Sequence, residues 1–173
     1  DLFVNMILLS VFAGQHSVMA RPWFKDWLRN WVPDAMERST YVLASSLALA
    51  LLFWQWRPLG GMIWEWNSPV GQFAMYGIFA AGWLTVLTTT FLIDHFDLFG
   101  LKQVWFHFCR KRYSPPQFRT PGPYRIVRHP MYIGWLLAFW GTPTMTVSHL
   151  VFASVVTVYI LVAIRLEETD LVR

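Results

Sequence analysis

Charge is scarce in this chain. Only 14% of its 173 residues are Asp, Glu, Lys or Arg, against roughly 25% in soluble globular domains, too few for the solvated surface of an ordinary soluble protein. A single cysteine, Cys109, excludes an internal disulfide and any cysteine-based zinc spacing. There is no dinucleotide-binding fingerprint, no internal repeat and no low-complexity segment, and nothing points to nucleic acid. The chain opens on Asp1 without a basic leader, which predicts no signal peptide and an N-terminus trimmed from a longer sequence. What is abundant is apolar surface. Hydrophobic residues make up 55% of the chain and recur in runs long enough to cross a bilayer, the composition of an integral membrane protein. A chain of this size has room for one compact bundle, so residues 1–173 are expected to form a single domain with its chemistry at the mouth or inside.

The expected fold is all-α: a helical bundle of about five transmembrane helices with short interfacial helices. Leu2 to Met19 is the first apolar segment, interrupted by Asn5 and, near its far end, by Gln15 and His16. Trp23, Phe24, Trp27 and Trp31 among Arg21, Lys25 and Arg29 read as an interfacial helix, because tryptophans and cations favour the headgroup level. Tyr41 to Trp56 is the second span, and Ala44, Ser45, Ser46, Ala48 and Ala50 permit close helix packing there. Val70 to Ile93 is the third and ends in Asp94-His95. Residues 96–112 show a rough amphipathic helical pattern and are placed on the membrane surface. Met131 to Val147 and Val147 to Ile164 complete the set as a tight antiparallel helical hairpin.

Thirteen of the fourteen Lys and Arg residues fall on one face of that topology, and only Arg57 falls on the other. The positive-inside rule makes the crowded face cytoplasmic, with the described N-terminus outside and the C-terminus inside. The same parity gathers Gln15, His16, Asp94, His95, His129, Glu167 and Glu168 at the cytoplasmic level. Ionisable residues at membrane depth are costly and usually mark a site. The stretch TPGPYRIVRHPMYIG, residues 120–134, stands out within it. Pro121, Gly122 and Pro123 break an incoming helix, and Pro130 suits the first turn of a new one, where its missing N–H would be unpaired anyway. Arg128 and His129 then stand at a helix entrance, where free N–H groups and the helix dipole favour an anionic group.

GPYRIVRHPMYIG, followed about thirty residues later by Glu167-Glu168, resembles the cofactor motif of the membrane methyltransferases typified by isoprenylcysteine carboxyl methyltransferase and phospholipid methyltransferases. A narrower likeness covers nearly the whole chain. QHSVMARPWFK, PDAMERSTYVL, FWQWRP, FLIDHFDLFGLKQVW, the 118–150 block and RLEETDLVR are similar, block for block, to the family of bacterial methanethiol S-methyltransferases. Members of that family usually carry a further hydrophobic segment before the equivalent of Asp1 and a basic tail beyond Arg173. The resemblance implies S-adenosylmethionine (SAM) as cofactor, a small volatile thiol as substrate, dimethyl sulfide as product, and a bacterial inner membrane with the SAM site facing the cytoplasm. It also implies that the cofactor-binding part is residues 120–173. Tyr124, Arg125, Arg128, His129, Pro130, Tyr132, Gly134, Glu167 and Glu168 are its binding residues. Tyr132, Phe96 or Trp135 offers a face for the sulfonium by cation–π attraction.

The chemistry asks for one group more. An alkanethiol is at least as basic as free cysteine, near pH 8.5, so a base must supply the thiolate, and an imidazole, titrating near neutrality, suits that task. His95 is the first choice, oriented by Asp94 or Asp97, with His16 as the alternative or a second hydrogen-bond partner. The small residues Gly77, Ala80, Ala81 and Gly82 are candidates for a lateral path for an apolar thiol. Each feature also has a plainer reading. Arg125 and Arg128 would serve as topogenic cations, Glu167 and Glu168 as a solvated helix end, and His16 as a packing histidine. His107 and His149 carry no functional expectation. No local ligand spacing supports a metal. Rival functions are a carboxyl or phospholipid methyltransferase, an NADPH-binding reductase of distantly similar arrangement, and a non-catalytic membrane sensor or assembly factor. Oligomeric state is not legible.

Overall fold

The computed structural model describes residues 1–115, 122–125 and 127–171, with only the backbone described at residues 123, 125, 170 and 171. It is mostly helical: α1 (Leu2–Met19), α2 (Pro22–Leu28), α3 (Asp34–Gln55), α4 (Pro69–Ile93), α5 (His95–Leu98), α6 (Leu101–Phe108), α7 (Pro130–Trp140) and α8 (Val147–Leu171). Strands β1 (Met62–Glu65) and β2 (Thr144–Thr146) form an antiparallel ribbon, and a 3-10 turn covers Gly122–Arg125. The chain divides into two compact units, Asp1–Arg57 with Ile93–Arg119, and Pro58–Leu92 with Thr120–Arg173. Among the described residues, α1, α4 and α8 are long and apolar enough to cross a membrane. Large side chains such as Phe73 on α4 and Trp54 on α3, 81% and 79% exposed, face outward, as expected where the surrounding medium is lipid. This is a membrane protein.

In the first unit, α1 and α3 run antiparallel, and polar contacts tie both ends. Asn5, fully buried, donates from Nδ2 to the Arg57 carbonyl at 2.7 Å and accepts from the Arg57 N–H at 2.8 Å. One side chain thus satisfies both backbone groups of a residue just beyond α3, a reciprocal pairing that an apolar residue cannot supply. Asn5→Leu should therefore lower stability by about 1–3 kcal/mol, the cost of leaving those groups unpaired. A thermal midpoint in detergent equal to the parent's would refute this.

The corner after α4 turns on Asp94, whose φ of +99° is in the left-handed region, where asparagine and aspartate are tolerated better than most residues. Its Oδ1 caps α5 by accepting from the Asp97 N–H at 3.2 Å, and its Oδ2 meets Lys102 Nζ at 2.5 Å. The Lys102 hydrogen bond holds the Asp94 carboxyl below its usual range, partly opposed by desolvation. A depressed carboxylate contributes stability above its unfolded value near pH 4 and loses it as pH falls through the folded value. Asp97, 6% exposed, accepts from the Tyr113 hydroxyl and from Gln103 Nε2 at 3.3 Å. Burial and that carboxylate push the Tyr113 hydroxyl up to about 12, so it stays a donor at neutral pH. Gly100, at φ +76°, lies so close to the backbone of Ser39 that a Cβ would collide with it, and Arg38 Nε donates to the Leu98 carbonyl at 2.9 Å. These contacts pin α5 and α6 to the start of α3.

In the second unit, α4 and α7 approach backbone to backbone. A Cβ on Gly82 would stand 2.5 Å from the Ala138 nitrogen, and one on Gly134 would stand 2.9 Å from the Gly82 carbonyl oxygen. Close contact between helices at small residues is how membrane helices associate. Thr85, Thr89 and Thr90 return their hydroxyls to carbonyls of α4 itself at 2.8 Å, so none is left unpaired in an apolar setting.

Several sequence expectations need correction. The chain is not purely helical, because Met62↔Thr146, Trp64↔Met145 and Glu65↔Thr144 pair as a ribbon. The expected helix from Met131 to Val147 stops at Trp140, since Gly141 follows as a cap and Pro143 has no N–H for a ladder. The hairpin turn thus contains a strand. Eleven helical residues span about 16 Å, short of the roughly 30 Å apolar thickness of a bilayer. The second span begins earlier, at Asp34, and the last continues to Leu171, so Glu167 and Glu168 are helical. The surface helix of residues 96–112 is two pieces, α5 and α6, broken at Gly100.

Candidate cofactor site at the entrance to α7

His129 stands at the N-cap position of α7 without a side-chain capping bond, and Pro130 occupies the first turn, as the sequence anticipates. From this entrance three side chains reach the C-terminal part of α8. The Tyr132 hydroxyl donates to Glu167 Oε1 at 2.7 Å. His129 Nδ1 lies 3.5 Å from Glu167 Oε2, and Arg128 Nη1 lies 3.7 Å from Glu168 Oε1. The His129 and Tyr132 rings stack with centroids 5.5 Å apart, a spacing of three residues that places both on one side of a helix start. The sequence motif and the distant glutamate pair are therefore one cluster, at the paired ends of α7 and α8.

The polar groups of the cluster are not used up by one another. His129 Nε2 is buried and has no hydrogen-bond partner among the described residues; the nearest acidic oxygen, Glu168 Oε1, is 3.7 Å away, too far for a hydrogen bond. An orphaned buried nitrogen is costly unless something fills the place. The glutamate side chains remain about half exposed, at 51% and 44%, and Arg128 is 84% exposed. A ligand that brings both an ammonium or hydroxyls and a carboxylate fits this donor and acceptor set, with the α7 N-terminus favouring its anionic end.

The remaining expected residues are distributed differently. Tyr124 lies in the 3-10 turn, half-buried, and burial raises its hydroxyl. The Arg125 side chain, with Thr120 and Pro121, lies outside the described residues. Pro130 and Gly134 are buried, and Gly134 faces α4, so its lack of a side chain is required by helix packing. Gly82 is enclosed in the same contact, whereas a Cβ on Gly77 would meet nothing within 4 Å; the imagined thiol path along these small residues is closed at Gly82. Trp135 is engaged with Trp83 and Phe139 at 5.1 and 5.5 Å between centroids.

His95 and His16, both in the first unit, sit in two separate settings. His95 opens α5, its ring 4.7 Å from that of Phe99. Both oxygens of Asp94 are engaged by Asp97 N–H and Lys102, and Asp97 is held by Tyr113 and Gln103. His16, on α1, has the Tyr41 hydroxyl within 2.8 Å of Nε2 and 3.0 Å of Nδ1, and Ser45 Oγ within 3.2 Å of Nδ1. These are contacts that fasten α1 to α3. Sequence reasoning missed Tyr41, Lys102, Gln103 and Tyr113, because each acts on a residue 6 to 25 positions away with no motif linking them. His149 meets the Phe139 carbonyl at 2.7 Å, and no group of three potential ligands for a metal occurs among the described residues.

The phospholipid methyltransferase family pattern matches residues 72–173, which span α4, the cluster and α8. The class is therefore that of membrane methyltransferases. The chain is 61% identical over 171 residues to a methanethiol S-methyltransferase of Crocosphaera subtropica, covering 99% of this chain and 67% of the relative. A methanethiol S-methyltransferase of Mycobacterium tuberculosis is 53% identical over 168 residues, 97% of this chain and 69% of its own length. Methanethiol S-methyltransferase 1 of Bradyrhizobium diazoefficiens is 52% identical over 171 residues, 99% and 60%. The chain thus spans about 60–69% of the length of these relatives. No solved structure matches significantly. The chain belongs to the phospholipid methyltransferase family, in its branch of methanethiol S-methyltransferases.

Proposed function

We propose that this chain carries the SAM-dependent S-methylation of methanethiol to dimethyl sulfide in a bacterial inner membrane. The observation that carries the reading is the cluster of Arg128, His129, Tyr132, Glu167 and Glu168, which leaves His129 Nε2 buried without a hydrogen bond among the described residues. When bound, SAM supplies an electrophilic methyl group on a sulfonium. Arg128 and the α7 N-terminus suit its carboxylate, by charge-assisted hydrogen bonding and the helix dipole. Glu167 and Glu168 suit an ammonium or ribose hydroxyls, His129 Nε2 is available for a hydrogen bond, and Tyr132 holds Glu167 in place. Tyr124 and Arg125 are assigned to the pocket on the motif resemblance alone.

His95 is the proposed base that takes the thiol proton, with Asp94 shaping the corner that presents it and His16 the alternative. α3, and α7 continued by residues 141–146, join the three long apolar helices to make five crossings of one domain, with the N-terminal end of the described chain outside and the cofactor site facing the cytoplasm. That orientation follows from the cation distribution.

Two measurements test the reading. Purified protein in detergent or nanodiscs, given SAM and methanethiol, should release dimethyl sulfide into the headspace; none from a folded, SAM-binding preparation would refute the substrate. In calorimetry, Tyr132→Phe and Glu168→Ala should each weaken SAM binding by about ten- to a hundredfold, as expected when a hydrogen bond involving a charged group, worth roughly 1.5–3 kcal/mol, is lost. Parental affinity in both variants would remove the cluster from the cofactor site.

A further inference from the structure

The first unit carries an apolar groove that the methyl-transfer reading uses only at Asp94, on its edge. On α6, Leu101, Trp105 and Phe108 are 53%, 63% and 79% exposed, and their spacing of four and three residues puts them on one helix face. With Phe96 and Val104 they line a groove of about 660 Å³. Two residues past Phe108 come Arg110, Lys111 and Arg112, all exposed, and no acidic residue occurs from Leu98 to Pro115. Lys102, at the groove's rim, is already paired with Asp94, and Lys111 lines a separate groove with Asp34 and His107, so Arg110 and Arg112 are the cations left to this end of the helix.

The way α6 ends adds an independent observation. The Lys111 N–H bonds the Phe106 carbonyl at 2.9 Å and the Arg110 N–H bonds the His107 carbonyl at 3.0 Å, the pair of bonds that closes a helix with a left-handed residue, ordinarily glycine. Here that residue is Arg110, at φ +54°. A long cation thus occupies a backbone position that favours glycine, and an unfavourable conformation held at a surface is a pointer to function.

We propose that the α6 groove, with Arg110 and Arg112 just beyond its end, forms a binding site for an anionic phospholipid, with an acyl chain along the groove and the headgroup phosphate on the two arginines. Apolar surface adjoining a cluster of cations matches an anionic lipid at both ends of the molecule.

The test is lipid selectivity in nanodiscs, read by electron paramagnetic resonance of spin-labelled phosphatidylglycerol and phosphatidylcholine. The parent protein should prefer phosphatidylglycerol several-fold, up to about fivefold for each cation engaged. Salt at about 0.5 M should remove the preference by screening. The double variant Arg110→Gln, Arg112→Gln should lose it while SAM binding is kept. Arg110→Gly should lower the preference and raise the thermal midpoint together, a combination that a purely structural arginine would not give. Equal association of both lipids with the parent, or an unchanged preference in the double variant, would overturn the proposal. Displacement of phosphatidylglycerol by millimolar glycerol phosphate would also overturn it, by showing a site for soluble phosphate.

Discussion

His95→Ala is expected to lower kcat at pH 7 by about 100-fold or more, the usual contribution of a positioned general base, while SAM affinity stays at the parental level. Methyl transfer to sulfur is an in-line displacement, and alignment supplies much of its rate. Alignment does not ionise the thiol, and an alkanethiol at least as basic as free cysteine, near 8.5, is mostly protonated at neutral pH. The variant should therefore regain part of its rate as pH rises and thiolate forms in solution, so its pH profile should climb where the parent's is flat. His95 opens α5 at the corner held by Asp94 and Lys102, on a short element whose ends are both tied. Parental kcat at pH 7 would falsify the role. Loss of SAM binding would instead assign His95 to the cofactor.

Gly82→Leu should be the most damaging single change to the fold, costing about 3 kcal/mol or more, the upper end of overpacking effects. Even a methyl group at Gly82 would lie 2.5 Å from the Ala138 nitrogen and 2.7 Å from the Gly134 carbonyl oxygen, and backbone atoms cannot rotate aside as a side chain can. α7 would have to separate from α4. Because α7 also presents His129 and Tyr132, apparent affinity for SAM and for thiol should fall together with the thermal midpoint. Gly77→Leu is the control on the same helix: a Cβ there would meet nothing within 4 Å beyond its own helix backbone, and its thermal midpoint should not fall below the parent's. A Gly82→Leu protein with parental midpoint and a raised KM for thiol alone would restore the small-residue path that the packing argues against.

Apolar runs bounded by polar and proline-rich stretches announced a membrane protein and the positions of α1, α4 and α8. They do so because a helix in lipid must satisfy its own backbone, which makes length and hydropathy nearly sufficient signals. The α7 entrance was legible too, since Pro130 acts locally through its ring and its missing N–H. The resemblance of GPYRIVRHPMYIG and Glu167-Glu168 pointed by motif to the residues that the structure gathers at the α7 entrance. Only the tertiary structure brought Tyr132 to Glu167 across 35 residues, paired Met62–Glu65 with Thr144–Thr146, and committed the oxygens of Asp94 to Lys102 and the Asp97 amide. It also gave Gly82 and Gly134 their meaning, as the close approach of two helices. Sequence by itself determined which segments prefer lipid, because that preference is a sum over single residues. Partners were decided by the fold, because a hydrogen bond or a backbone contact depends on where two distant segments meet, and no local pattern encodes that distance.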